Sequence, residues 1–239
     1  MTSDPSRPIT QKELRTPRSA AWAGILFALL FGTGMVLTFL SIPPAPPYET
    51  SWLTENAGRV ALAVSLAPFA GIAFLWFVGV IRSHLGELED QLFSSVFFGS
   101  ALLYLAAYFV WTTIIAAVLA SANADPDAWS NTGAYIFGRT MIKVMGGVVM
   151  LRMAGVFMFS SSTIWLRTKV MPRWLVYLSM GLALVLLIGG GAVRPLRLVF
   201  PVWVFVVSLF LLRTNRLADD RGDGDSGDSE EGDGGEDSG

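Results

Sequence analysis

"AAWAGILFALLFGTGMVLTFLSI", Ala20 to Ile42, decides the class of this chain. No residue in it is charged, and its 23 positions form a helix long enough for the roughly 30 Å hydrocarbon core of a bilayer at about 1.5 Å per residue. A secretory signal has a shorter apolar stretch and a small-residue cleavage site. Here the run ends in the proline-rich "PPAPPYETSW" of residues 43–52, so a retained first membrane helix is expected.

Five further apolar runs lie outward from it: Val60–Ile81, Leu92–Ala120, a run within Ile142–Leu166, Trp174–Val193 and Leu198–Leu212. Each is continuous and does not alternate polar with apolar, so barrel strands are excluded. Backbone groups in lipid must pair within their own segment, which makes these runs helices. The last is short, and its flanking Arg197 and Arg213 are placed to snorkel or to thin the bilayer locally. The expected fold is therefore all-α, a bundle of six transmembrane helices over residues 20–216. A basic cytoplasmic arm (1–19) precedes it, and a disordered acidic cytoplasmic tail (217–239) comes after it.

Composition agrees with this reading. The chain is 53% hydrophobic and 15% charged, against roughly 25% charged in soluble domains, so it lacks the polar surface for water. The net charge of −2 averages two unlike regions, because ten of the nineteen acids lie between Asp219 and Asp237. That tail has no apolar periodicity from which to build a core. Its "RGD", Arg221 to Asp223, is a chance string in low-complexity sequence. Its Asp223 and Asp225 do not continue into a calcium loop, since Asp228 stands where an EF-hand needs glycine.

Orientation is read from the basic residues near span ends. With the N-terminus inside, the cytoplasmic side carries Lys12, Arg15, Arg18, Arg82, Arg167, Lys169, Arg173, Arg213 and Arg216. The outer side carries Arg59, Arg139, Lys143, Arg194 and Arg197. Nine against five favours both termini inside. Trp22, Trp52, Trp165 and Trp174 fall at the expected interfaces, where amphipathic rings sit. The fourteen arginines against three lysines suggest a GC-rich prokaryotic source, hence a prokaryotic plasma membrane.

Chemistry is constrained mostly by what is missing. Without cysteine and with only His84, thiolate nucleophiles, iron–sulfur clusters, cysteine zinc sites and bis-histidine haem are excluded. No span carries a central Asp, Glu or His, the residues that proton-coupled carriers use. No cofactor, metal or nucleic-acid partner is expected, and no enzymatic activity. The methionines of the fourth span (Met141, Met145, Met150, Met153, Met158) read as packing residues.

The exception is "GRTMIKVMGGVVMLRMAG", Gly138–Gly155, which puts three cations into the fourth span. Arg139 and Lys143 are four apart and share a face near the outer border. Arg152 is nine residues beyond Lys143, which on a straight helix places it on the opposite face and close to mid-membrane. A charge there costs roughly 2.5–3.5 kcal/mol on insertion scales. Helix carbonyls, Tyr104, Tyr108, Thr112 or Thr113 of the third span, or an anionic lipid or small anion are its candidate partners. The candidate binding set is Arg152, Arg139, Lys143, Arg59, Tyr104 and Tyr108.

Two functions fit. The first is a non-catalytic membrane component that packs with a partner, with itself or with lipid. The alternative is a small transporter or channel subunit with an outward-facing cationic vestibule around Arg152, joined by Arg194 and Arg197. No motif in the chain names a family.

Overall fold

Apolar segments that close their backbone hydrogen bonds internally must become helices, and every regular element among the described residues is one. The computed structural model describes residues 16–85, 91–124, 133–168, 171–189 and 195–227. Its elements are α1 (Thr16–Ser41), the single turn α2 (Trp52–Glu55), α3 (Ala57–Leu85) and α4 (Gln91–Ala124). Then come α5 (Gly133–Val144), a π-helical turn (Met145–Val149), α6 (Met150–Thr168), α7 (Arg173–Ile188) and α8 (Leu196–Gly227). The π-turn joins α5 and α6 into one helical span, Gly133–Thr168.

The long helices form a ring. α1 packs against α3 and α8, α3 against α4, α4 against α6, and α6 against α7, with lighter contacts closing α8 onto α6 and α7. Inside the ring the filling is aromatic. The Phe74 ring of α3 lies 4.8 Å from Phe27 of α1, 5.6 Å from Tyr104 of α4, 5.6 Å from Phe157 of α6 and 5.9 Å from Phe200 of α8. Tilted and edge-on pairs of this kind are favourable beyond the area they bury. One cluster thus ties five helices at one level.

The outside is apolar too. Trp22, Leu26 and Leu40 on α1, Phe69 and Trp76 on α3, Leu103 on α4, and Trp174 and Leu184 on α7 are all exposed. A helix that is hydrophobic all round belongs either to the core of a large protein or to a membrane. Among the described residues no element covers these side chains, and lipid is a solvent that suits them. Pro68 and Pro201 lie inside α3 and α8, where spanning helices tolerate proline better than soluble ones do.

Three boundaries differ from the sequence expectation. Six spans were expected, but five helices are long and apolar enough to cross: Ser19–Ser41, Ala57–Arg82, Ser95–Ala124, Gly133–Thr168 and Leu196–Arg213. The run read as Trp174–Val193 is α7, whose 16 residues reach about 24 Å at roughly 1.5 Å per residue. It stops at Gly189, whose N–H caps the Val185 carbonyl at 2.8 Å. The fourth span begins at Gly133, well before Ile142. α8 runs to Gly227, into the segment read as a disordered tail. Residues 1–15 of the basic arm and 228–239 of the tail lie outside the described residues, as do Asp125, Asp127, Lys169 and Arg194.

Candidate functional site

The first helical stretch of the fourth span buries Tyr135, Gly138, Arg139 and Ile142. These positions, at i, i+3, i+4 and i+7, form one helical stripe. Gly138 lets the stripe approach α4 closely, because a Cβ there would meet Val118 Cγ2 at 2.6 Å. Arg139 is thereby pressed beneath the connection between α1 and α3 and keeps only 3% of its surface exposed.

The contacts that hold Arg139 come from that connection. Its Nη2 donates to the Pro43 carbonyl at 2.5 Å, and its guanidinium carbon lies 5.4 Å from the centre of the Trp52 ring. Trp52 donates from Nε1 to the Tyr135 hydroxyl at 3.0 Å, and Tyr135 donates in turn to the Glu49 carbonyl. A carbonyl dipole and an aromatic face each favour a cation. Prolines 43, 44, 46 and 47 bring no N–H groups to compete for these acceptors. The result is a latch: a buried arginine, a tryptophan and a tyrosine that fix residues 43–52 against α5.

One turn further in, the helix widens. Just before the π-turn Met145–Val149, the Ile142 carbonyl accepts from Trp111 Nε1 of α4 at 3.0 Å. The indole sits directly on Gly146, where a Cβ would come within 2.6 Å of Nε1. The glycine pair therefore seats a tryptophan from the neighbouring helix.

The remaining members of the expected set are dispersed. Lys143 and Arg152 are exposed on the bundle exterior. Arg59 is exposed and donates to Asn56 Oδ1 at 3.4 Å. Tyr104 and Tyr108 are buried in the aromatic core, their rings 6.1 Å and 4.8 Å from Phe31. Tyr104 and Arg197 help line a small cavity of about 10 Å³ beside Gly146; Arg59, Arg139, Lys143 and Arg152 are not among its lining residues. The interior position expected for Arg152 rested on a straight helix. A π-bulge acts as one inserted residue and rotates the downstream helix by about 100°. Lys143 is exposed, so the rotation brings Arg152 away from the interior and around to the outside. Among the described residues the buried cation is instead Arg139, whose place near the helix end had suggested an interfacial residue.

Hydroxyls near the other end of the span are spent locally. Ser160, Ser161 and Ser162 donate to the carbonyls four residues back at 2.9, 2.7 and 2.7 Å. Ser179 of α7 accepts from Trp203 Nε1 of α8 at 2.7 Å, a cross-helix bond not legible in sequence. Among the described residues no cluster of three or more His, Cys, Asp or Glu side chains could hold a metal ion. Compared with protein-family models, with curated proteins and with solved structures, the chain matches none.

Proposed function

We propose that the chain is a non-catalytic component of a prokaryotic plasma membrane, crossing it six times with both termini in the cytoplasm. It acts by packing against a partner chain, a second copy of itself or lipid. One observation carries this reading: the ring of helices is filled at its centre by interlocked aromatic side chains from α1, α3, α4, α6 and α8. The cavity beside them, at about 10 Å³, is the size of a single water. α7 supplies the sixth crossing at a length that local thinning of the bilayer accommodates. The excess of basic residues at the expected inner ends supports the orientation.

Arg152 supports a partner within the membrane plane. An arginine on the outside of a mid-span helix costs several kcal/mol against lipid alone, and a neighbouring polar group offsets that cost. The vestibule reading is not proposed, because Arg139 is held by Pro43 and Trp52 while Lys143 and Arg152 point away from the interior.

Reconstituted vesicles test the choice. They are expected to pass chloride and phosphate no faster than protein-free vesicles. A cysteine at Phe159, on one face with Arg152 and exposed, is expected to cross-link to a neighbouring polypeptide in native membranes. Anion flux that disappears on Arg152→Ala would overturn the reading and restore the vestibule.

A further inference from the structure

The end of α6 and the start of α7 line a groove of about 610 Å³, within the range of small-molecule sites. Its base is apolar, built by the buried Met171 and Val176. One wall is Trp165, whose ring is fixed by stacking on Trp203 of α8 at 5.6 Å. At the rim stand Leu166, Arg173 and Tyr177, all exposed. Among the described residues no carboxylate belongs to its lining.

These features select an amphipathic anion. The base offers alkyl contact, and the charged group among the described lining residues is a guanidinium, whose planar fork matches phosphate oxygens. α7 begins at Arg173, after Pro172 in extended conformation and with no side-chain cap. The positive end of its dipole therefore adds to the arginine rather than opposing it. Position narrows the class further. The groove lies where two apolar helices leave the bilayer, the depth at which a lipid's phosphate meets its acyl chains, and Trp and Tyr favour that depth.

We propose that this groove binds an anionic phospholipid, with the phosphate at Arg173 and the first methylenes of the acyl chains along Met171 and Val176. A zwitterionic lipid fits worse, because its ammonium group would be brought beside the guanidinium. The proposal rests on the membrane reading above but not on any partner chain.

The test uses the full chain in neutral detergent, with native mass spectrometry counting retained lipid. Phosphatidylglycerol is expected to be retained about tenfold better than phosphatidylcholine. Arg173→Ala should remove that preference, an effect of about tenfold for one charge-assisted contact. Tyr177→Ala should weaken it, and the exposed Arg213→Ala should leave it unchanged. Millimolar inorganic phosphate should not displace the lipid. Equal retention of both lipids by the wild type, retention of phosphatidylglycerol by Arg173→Ala at the wild-type level, or full displacement by inorganic phosphate would each overturn the proposal. Alkaline extraction of vesicles separates the two levels of failure. A chain released from the bilayer defeats the membrane reading, whereas one that stays without lipid preference defeats only the groove.

Discussion

Gly146→Ala tests how the fourth span is built. The added methyl would stand 2.6 Å from Trp111 Nε1 and 3.1 Å from two further indole atoms, against an optimum of about 3.5–4.0 Å for such contacts. The indole must therefore retreat by roughly 1 Å. That movement stretches its 3.0 Å bond to the Ile142 carbonyl beyond useful length. Loss of a buried bond costs about 1–3 kcal/mol in general but nearer 0.6 kcal/mol on average in membrane bundles. Overpacking a buried ring such as Trp111, only 2% exposed, adds about 1–3 kcal/mol. Alanine's better helix propensity returns up to about 1 kcal/mol. The expected net loss is about 2 kcal/mol, read as a lower midpoint in detergent-to-SDS unfolding. The decisive assay is a double-mutant cycle with Trp111→Phe, which removes both the N–H and the clashing ring edge. In that background Gly146→Ala should cost less than about 0.5 kcal/mol, a coupling of at least about 1.5 kcal/mol. An equal cost in both backgrounds, or none in either, would refute the seating of Trp111 on Gly146.

The same geometry sets three other outcomes. Arg139→Ala should lose about 2–4 kcal/mol, from the charge-assisted bond to Pro43 and the Trp52 contact, and should speed proteolysis between residues 43 and 52. Arg139→Lys should restore less than half, because a lysine lacks the fork; unchanged proteolysis in Arg139→Ala would defeat the latch. Arg152→Leu should not destabilise the isolated chain, because it removes a charge that is costly against apolar tails, while reducing cross-linking through residue 159; a large stability loss would mean that the charge is satisfied inside the bundle. Because the chain has no cysteine, Ser229→Cys gives a single label, expected to react with an impermeant maleimide only after cells are opened. Labelling of intact cells would rule out a cytoplasmic C-terminus.

Helical class and most spans were legible because uninterrupted apolar length is a local property of sequence. The end of α7 was half legible: Gly189, Gly190 and Gly191 stand together in the sequence, and the helix ends at Ile188, just before them. The outer extension of the fourth span was missed because Arg139 and Lys143 read as interface markers. A signal was present nonetheless. Tyr135, Gly138, Arg139 and Ile142 keep helical spacing, and a small residue among them marks a close approach. What no local pattern contained was the partner of Arg139, a carbonyl 96 positions away in sequence.

Depth along a helix and direction around it are separate questions, and sequence answers the second only when the helix is regular. Arg152 lies deep along the span, and counting residues was enough to see that. Its direction depended on five residues, Met145–Val149, that depart from the α-helical repeat and shift every later residue by about one position. At Gly146 the Trp111 indole occupies the space where a side chain would lie, and it bonds the Ile142 carbonyl at the edge of the wider turn. A tryptophan on α4 thus packs at the turn that decides which way an arginine on α6 points. With the regular repeat, Arg152 would turn opposite Lys143, toward rings that offer a guanidinium little hydrogen bonding, where an unpaired buried charge is costly. The π-turn removes the cation from that interior, which keeps the aromatic core intact and leaves Arg152 exposed on the outside of the bundle.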